Sequence, residues 1–327
     1  VYARADNPAF DQAEAVLCQL EQGAAAMLFA SGMAAATAVF QALAPGDHVL
    51  APHVMYWSLR NWLMNFATHW GLQVELIDMT SPAAVQAAIR PGKTKLVWVE
   101  TPANPLWTIT DIAATAAICR AAGAKLAVDS TVGTPVLTQP LALGADVVVA
   151  SATKALAGHS DLLAGYAAGG DAELMAAVAR ERLLSGPVLG AFETWLLMRS
   201  LGTAGLRYER QCQNAMALAG ALSRHPAVRS VRYPGLPDDP AHTVAVAQMR
   251  RFGGLVSIEL AGAEAVAQLV ERSELLVAAT SFGGIHTSVD RRARWGDAVP
   301  AGFARISLGI EDTDDLLADF EQALDQT

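Results

Sequence analysis

The sequence predicts an α/β protein with a large, mostly parallel sheet domain followed by a smaller C-terminal α+β domain. The chain has 327 residues, more than one minimal core usually holds, and 53% of them are hydrophobic. Between residue 11 and about residue 190, amphipathic stretches alternate with short apolar runs. Continuous apolar strands separated by helices are typical of a parallel sheet that is covered on both faces.

The helices predicted in this first part span 11–22, 33–43, 58–69 and 110–122, where apolar residues recur at helical spacing. The predicted strands are Val49–Pro52, Val74–Asp78, Leu96–Glu100, Leu126–Asp129 and Val147–Ala150. Ligands of such sheets bind beyond the carboxyl ends of the strands. Asn104, Asp129 and the segment Ser151–Lys154 stand at or just after strand ends, so we expect a ligand site there.

The C-terminal part has a different pattern. Residues 188–222 are helical in pattern with no strand partner, which indicates a long connector. The predicted strands that follow are Leu255–Leu260, Leu276–Ala279 and Ala304–Leu308, with helices at 262–272 and 313–325. Asp312–Asp315 favours the start of the last helix, because Asp caps helices well and acidic groups suit their positive end.

Composition excludes several classes of function. A net charge of −9 disfavours nucleic-acid binding, which needs a concentrated basic face. The basic cluster Arg291–Arg294 is interpreted as a local loop feature. No apolar run approaches the length of a membrane span, and no spacing of ligand residues predicts a metal site.

Cys18, Cys119 and Cys212 form no CxxC pair and lie among apolar residues on predicted helices, so we expect buried free thiols. The start of the chain has no signal-peptide pattern, which predicts a cytoplasmic location. It also has no initiator Met, so we expect the sequence to begin partway into a longer protein.

The first candidate ligand site is Ser31-Gly32-Met33, where an apolar strand runs directly into a helix. Unpaired backbone amides and the helix dipole favour an anion at such a point. Taken alone, the segment is more often only a helix cap.

The second candidate pairs Asp129 with Lys154, 25 residues further on, each at the end of a predicted strand. A pyridoxal cofactor needs a lysine for its Schiff base and an acid that keeps its pyridine nitrogen protonated. The hydroxyl groups of Ser151 and Thr153 suit the phosphate of that cofactor. A solvated lysine with a capping aspartate explains the two residues equally well.

Three more residues favour the cofactor site. Asn104 can hydrogen-bond the ring oxygen of the cofactor, and Tyr56 can stack on the ring. Arg305 lies in an otherwise apolar strand, where a substrate carboxylate is a fitting bidentate partner. Taken singly, Tyr56 and Arg305 are as readily structural as functional.

Together with these residues, longer motifs carry a resemblance that runs from Tyr2 to about Ala323. The motifs are Tyr2-Ala3-Arg4 with Asn7-Pro8, Ser31-Gly32-Met33, Glu100 to Pro105, Val128 to Thr131, Ser151 to Lys154 with Gly158 to Asp161, and Arg305 to Asp312. The chain resembles the Cys/Met-metabolism (trans-sulfuration) family of pyridoxal-phosphate (PLP) enzymes. Its members include cystathionine γ-synthase, cystathionine γ-lyase, cystathionine β-lyase and methionine γ-lyase.

The resemblance implies a fold-type I (aspartate-aminotransferase-like) enzyme with pyridoxal 5′-phosphate as cofactor. It implies an N-terminal arm at 1–8 that reaches the neighbouring subunit, a PLP-binding domain at 9–200 and a C-terminal domain at 201–327. Because the arm completes the neighbour's site, it also implies a homodimer with shared active sites, paired into a homotetramer.

The same resemblance assigns roles residue by residue. Lys154 is similar to the Schiff-base lysine and proton shuttle, and Asp129 to the acid beside the pyridine nitrogen. Gly32, Met33, Ser151 and Thr153 resemble the phosphate site of the same subunit, and Tyr2 and Arg4 the pair that reaches the neighbour's phosphate. Tyr56 resembles the stacking tyrosine that exchanges protons with the leaving group, and Arg305, with Asn104 and Ser281, the clamp on the substrate carboxylate.

The implied reaction is γ-elimination from a sulfur-containing or similar C4-substituted amino acid, and canavanine-like substrates also fit the altered pocket. The alternatives are γ-replacement of the cystathionine γ-synthase type and β-elimination of cystathionine. Trp57 after the tyrosine, Thr280 before Ser281 and the arginine-rich loop all depart from the family pattern and leave the substrate open. A non-catalytic scaffold and an NAD-dependent dehydrogenase are disfavoured, the latter because no GxGxxG follows the first strand.

Overall fold

The protein, described here as a computed structural model covering residues 2–4 and 6–325, divides into two compact units. The first unit contains the chain up to Asn104 together with Thr108–Thr153 and Asp161–Arg199. The second contains Pro105–Trp107, Lys154–Ser160 and the chain from Ser200 onward. Lys154 is therefore the first residue of a segment that belongs to the second unit, one peptide bond after Thr153 of the first.

The first unit is built on a seven-stranded sheet. Its strands are β1 (Ala25–Phe29), β2 (His48–Pro52), β3 (Gln73–Ile77), β4 (Thr94–Glu100), β5 (Lys125–Asp129), β6 (Val147–Ala150) and β7 (Gly165–Gly169). Their order is β1-β7-β6-β5-β4-β2-β3. Strands β2 to β6 pair in parallel, and β7 is antiparallel to both β6 and β1. The prediction of a large, mostly parallel sheet is confirmed.

The helices of this unit are α1 (Pro8–Glu21), α2 (Gly32–Gln41), α3 (Trp57–Asn61), α4 (Thr68–Trp70), α5 (Pro82–Ala88), α6 (Ile112–Ala122), α7 (Thr134–Leu137) and α8 (Ala172–Ser185). A π-helical segment, Trp62–Ala67, joins α3 to α4 where the sequence predicted one regular helix over 58–69. The sequence did not predict β7 or α8. Residues 165–169 read Gly-Tyr-Ala-Ala-Gly, a poor strand sequence that is held by pairing on both sides.

The second unit contains a five-stranded sheet. Its strands are β8 (Ser230–Arg232), β9 (Leu255–Glu259), β10 (Val277–Ala278), β11 (Ser288–Arg291) and β12 (Phe303–Ser307), in the order β10-β11-β12-β9-β8. All pairs are antiparallel except β10 with β11. The helices are α9 (Ala191–Leu222), whose first residues belong to the first unit, α10 (His242–Gln248), α11 (Ala263–Arg272) and α12 (Thr313–Leu324).

This arrangement confirms the predicted smaller α+β part and the long helix that leads into it. Asp312 caps α12 by accepting a hydrogen bond from the amide of Asp314 at 2.9 Å, as the sequence predicted. Cys119 and Cys212 are buried free thiols as expected, whereas Cys18 is half-buried. Within the described residues, no helix is long and apolar enough to cross a membrane.

Two features of the first unit bring its polar strand ends together. Strands β4 and β5 pair so that Glu100 lies opposite Asp129. The N-terminus of α2 also lies against the turn after β6, because a Cβ atom on Gly32 would stand only 2.6 Å from Cβ of Ser151. Glycine at 32 is therefore required by a close approach rather than by its backbone angles.

Gly32→Ala tests this approach. The added methyl group must displace either the start of α2 or the Ser151 turn, so we expect a loss of about 1–3 kcal/mol in the free energy of unfolding. Gly170→Ala is the matched control in the same unit, because a Cβ atom there meets nothing within 4 Å. Urea denaturation curves of both variants measure the difference. Equal stability of the two variants would contradict the packing described here.

Candidate active site

The start of α2 forms the first part of the site. Ser31 caps the helix, its hydroxyl accepting a hydrogen bond from the amide of Ala34 at 3.1 Å. Gly32 and Met33 supply the next amides, which have no partner within a helix at this position. The amide of Ser151 donates to the Thr131 hydroxyl at 2.8 Å, which fixes the turn that Gly32 contacts. Gly32, Met33 and Ser151 are thus brought together, as the sequence predicted, in an arrangement that suits an anion.

Thr153 lies on the same turn, but its hydroxyl has backbone partners. It donates to the carbonyl of Ala164 at 3.1 Å and accepts from the amide of Ala164 at 3.0 Å. A phosphate at this position would therefore have to compete with the Ala164 carbonyl for the hydroxyl hydrogen.

Two carboxyl groups lie side by side at the carboxyl ends of β4 and β5. Burial raises the pKa of Glu100 to about 8, with a further contribution from the nearby charge of Asp129. Burial likewise raises the pKa of Asp129, although Thr131 donates a hydrogen bond to it at 3.0 Å. Both groups therefore favour a shared proton or a cationic partner.

Glu100 also organises two loops, a role that sequence reasoning missed. It accepts the backbone amide of Tyr56 at 2.6 Å and that of Asn104 at 3.3 Å. The side chain of Tyr56 is nevertheless 48% exposed, as a stacking group at an open site must be. One signal was available in the sequence, since Glu100 is a charged residue at the end of an otherwise apolar strand.

In the second unit, the amine of Lys154 donates a hydrogen bond to the hydroxyl of Ser281 at 2.9 Å. Burial, together with the smaller effect of the positive charge of Arg305, lowers the pKa of this amine to about 8. Both cations lie over the ring of Phe282, with Lys154 Nζ at 5.0 Å and the Arg305 guanidinium at 5.1 Å from its centroid. Three predicted site residues, Lys154, Ser281 and Arg305, are thereby brought together.

Arg207, on α9, holds the segment that carries Lys154. Its buried guanidinium donates to the carbonyls of Ala155 and Leu156 at 2.7 and 2.8 Å. From the other side, Gly283 packs so closely that a Cβ atom there would stand 2.6 Å from the amide nitrogen of Ala155. The sequence contained no local sign of the Arg207 bonds, because their partners are about 50 residues away.

Arg305 is buried in β12, and Asp290 lies directly opposite it in β11. Its terminal nitrogen donates to the carbonyls of Thr280 and Ser281 at 2.7 and 3.1 Å and lies 3.7 Å from the Asp290 carboxylate. Burial lowers the pKa of Arg305 to about 10. It stays charged at neutral pH, and it is one of two cations close to Ser281.

Tyr2 and Arg4 stand together near the start of the chain. The Arg4 guanidinium lies 5.3 Å from the centroid of the Tyr2 ring and donates a hydrogen bond to the carbonyl of Leu183 near the C-terminus of α8. Within the chain, Arg4 therefore interacts with the negative end of a helix. No cluster of His, Cys, Asp and Glu suited to a metal ion occurs among residues 2–4 and 6–325.

Comparison with known proteins gives consistent matches over the whole chain. The profile of the family described as "Cys/Met metabolism PLP-dependent enzyme" matches residues 1–325. The chain is 43% identical to the cystathionine γ-synthase of Mycobacterium tuberculosis, over 99% of this chain and 86% of that protein. It is 39% identical to the cystathionine γ-lyase of Bacillus subtilis, over 99% of this chain and 88% of that protein. The crystal structure of a methionine γ-lyase from Micromonospora echinospora matches with a TM-score of 0.94 and 39% identity, covering 99% of this chain and 88% of that one.

The carboxyl pair predicts a pH dependence of stability. The pKa of Glu100 is about 8 in the folded protein against an ordinary value of 4.5, so the folded state binds this proton more tightly than the unfolded chain does. The free energy of unfolding should therefore fall as pH rises from about 5 to 8, and Glu100→Gln should reduce that slope. Urea midpoints between pH 5 and 8, on protein free of bound small molecules, measure it. Asp315→Asn, at an exposed position in α12, should leave the slope unchanged, and a slope unaffected by Glu100→Gln would contradict the assignment.

Proposed function

This chain belongs to the Cys/Met-metabolism family of PLP-dependent enzymes, and from that premise we propose that it eliminates the γ substituent of a sulfur-containing or similar C4-substituted amino acid. The observation that carries the proposal is the amine of Lys154, which burial and Arg305 hold at a pKa of about 8 beside Ser281. Elimination needs a base of this strength near a carboxylate-binding group. Relatives named as γ-lyases support γ-elimination as the reaction.

The residues of the chain fit the cofactor of the family. The amides at the start of α2 and the hydroxyl of Ser151, which the absence of a side chain at Gly32 allows to lie close together, suit a phosphate group. The buried carboxyl groups of Glu100 and Asp129 suit a protonated ring nitrogen, which would supply the cation that both favour. The amine of Lys154 has a lowered pKa, as covalent attachment to an aldehyde requires.

We assign each residue a role toward the cofactor and the substrate. Lys154 would bind the cofactor covalently, Asp129 its ring nitrogen and Asn104 its ring oxygen, while Tyr56 would stack on the ring. The phosphate would be held by Gly32, Met33, Ser151 and Thr153, and from the neighbouring subunit by Tyr2 and Arg4. Arg305, Ser281 and Asn104 would hold the carboxylate of the substrate.

When bound, pyridoxal phosphate supplies an electron sink that stabilises negative charge at the α carbon of an amino acid. Lys154 Nζ, once free, would take up the α proton, pass it on, and then take up a proton from the β carbon. The bonding electrons left at the β carbon would form the β–γ double bond while the γ substituent leaves with its own electron pair. With a pKa of about 8 the amine is partly neutral near pH 7, so it can act as a base and still be reprotonated. Ser281 orients this nitrogen through the 2.9 Å hydrogen bond.

Tyr56, which is 48% exposed, would donate a proton to the leaving group from its hydroxyl, while its backbone amide is held by Glu100. Arg305 would orient the substrate through a bidentate contact with its carboxylate. The γ-synthase relative at 43% identity favours a second candidate function, γ-replacement with a thiol. β-Elimination of cystathionine is the third.

We also propose the assembly and domain division that the family implies. The arm at 1–8 would reach the neighbouring subunit, the PLP-binding domain would span 9–200 and the C-terminal domain 201–327. Shared active sites would make the functional unit a homodimer, paired into a homotetramer. A cytoplasmic location suits the three free thiols, because reducing compartments preserve them.

Lys154→Ala tests the cofactor assignment. Without this amine the protein cannot bind the cofactor covalently or move the α proton, so we expect turnover and the visible absorption band of the bound cofactor to be lost. Lys95→Ala, which replaces an exposed lysine of β4, is the control and should retain both. A Lys154→Ala protein that kept its absorption band and its activity would contradict the assignment.

Products from a single amino acid test the reaction. A γ-lyase releases ammonia and a four-carbon 2-oxo acid from methionine or cystathionine without an added thiol, whereas γ-replacement needs an activated homoserine and a thiol. We expect the enzyme to release 2-oxobutyrate and ammonia. Coupled enzymatic assays and chromatography would measure both products. Pyruvate as the oxo acid would indicate β-elimination, and product formed only when a thiol is added would indicate replacement.

A further inference from the structure

The loop after β11 gathers positive charge around one buried carboxylate. Asp290, whose side chain is fully buried, contacts Arg292 at 2.7 Å, Arg294 at 2.8 Å and Arg305 at 3.7 Å. Arg292 also pairs with Asp297 at 2.7 Å. Three guanidinium groups thus share two carboxylates, which leaves one positive charge in excess in this group.

Among these three arginines, Arg294 is the most exposed to solvent. The side chains of Arg305 and Arg292 are only 2% and 12% exposed, whereas that of Arg294 is 41% exposed. A guanidinium has five N–H donors, and the contact with Asp290 engages one terminal nitrogen of Arg294. Arg294 therefore keeps donors for an anion.

Arg294 is held in place before any ligand arrives. Its guanidinium lies 4.9 Å from the centroid of the Trp295 ring, and the Trp295 indole nitrogen donates to the same Asp290 oxygen at 3.1 Å. A side chain fixed from two directions loses little conformational entropy when it binds. Trp295 itself is 52% exposed, so an apolar chain could lie along its ring.

The shared contact with Asp290 sets an upper limit on the distance between Arg294 and Arg305, and so on the length that a ligand needs to reach both. Both contact oxygens of the same carboxyl group, so their terminal nitrogens lie within about 9 Å of each other. Two carboxylates separated by seven bonds, as in cystathionine, span at most about 9 Å. A ligand of that length with a carboxylate at each end can contact both guanidinium groups.

We propose that Arg294 binds the second carboxylate of the substrate, so that this enzyme prefers γ-substituted amino acids with two carboxylates over those with one. The proposal rests on the proposed function, in which Arg305 holds the first carboxylate. Asp290 is the positioning residue that fixes the distance between the two guanidinium groups. The distal carboxylate of cystathionine is carried by the leaving cysteine, so Arg294 would bind the leaving group rather than the half that becomes the oxo acid.

Arg294→Gln in the holoenzyme tests the proposal. We expect the ratio of kcat/KM for cystathionine to kcat/KM for methionine to fall about tenfold or more, because one charge-assisted contact to the distal carboxylate is lost. Arg291→Gln makes the same charge change on β11, and among the described contacts Arg291 makes none to Asp290. This control should keep the ratio. Arg294→Lys retains the charge and should keep part of the preference, which separates recognition from damage to the loop.

A binding measurement tests the contribution of Arg294 to ligand affinity independently of turnover. Octanedioate and octanoate have the same chain length but differ by one carboxylate, and calorimetric titration of the holoenzyme compares them. We expect octanedioate to bind more tightly, and Arg294→Gln to remove the difference. The proposal would be overturned if Arg294→Gln lowered kcat/KM equally for cystathionine and methionine, or if Arg291→Gln lowered the ratio as much as Arg294→Gln does. Equal binding of octanedioate and octanoate to the unmodified enzyme would also overturn it. If methionine is cleaved and cystathionine is not, the proposed function stands and this inference fails; if no amino acid yields ammonia and an oxo acid, the proposed function fails first.

Discussion

The parallel register of β4 and β5 is the constraint on which the site in the first unit depends. It sets Glu100, which is buried, opposite Asp129, which is half-buried, and the raised pKa values of both show a desolvation cost that the backbone amides do not fully offset. The same Glu100 carboxylate accepts the amides of Tyr56 and Asn104, so the loops after β2 and β4 are tied to one point. Thr131 extends the connection, because it bonds Asp129 through its amide and Ser151 through its hydroxyl. A change at the end of β4 or β5 should therefore also affect the loops that carry Tyr56 and Asn104 and the turn that carries Ser151.

The two units place ionisable groups of opposite kind in poorly solvated surroundings. The first buries two carboxyl groups side by side, and the second buries Arg305 with the amine of Lys154 close to the same aromatic ring. Neither arrangement maximises the stability of the fold, because apolar residues of similar volume would avoid the cost of removing these ionisable groups from water. Groups whose pKa values are displaced in opposite directions are what acid–base chemistry at neutral pH requires. Burial raises the pKa of Glu100 to about 8 and lowers that of Lys154 to about 8, so both groups can exchange a proton near neutral pH, and burial also raises the pKa of Asp129.

The predictability of the fold and the site follows from how local each cause is. Strands β2 to β6 were predicted to within two residues of their ends, because burial on both faces leaves an unbroken apolar run in the sequence. Strand β7 was not, because its small residues carry no such pattern and its position is set by two partner strands. Asp129 and Lys154 became candidates from their places at strand ends, and the family resemblance gave them their predicted roles. Arg207 was not, because its bonds to the Lys154 segment join residues about 50 positions apart.

Strand β11 was missed for a related reason, and that reason bears on the substrate. Its sequence, Ser-Val-Asp-Arg, has one apolar residue, so hydrophobic alternation cannot fix its register against β12. The register that the structure shows places Asp290 opposite Arg305, with both side chains on one face. A slip of one residue would turn Asp290 to the other face and leave the buried guanidinium without its carboxylate. The charge pairs therefore hold the strand in place and set the positions of Arg305 and Arg294 together. The same contacts that let this polar strand join the sheet would thus fix the spacing of the two guanidinium groups that we propose for substrate binding.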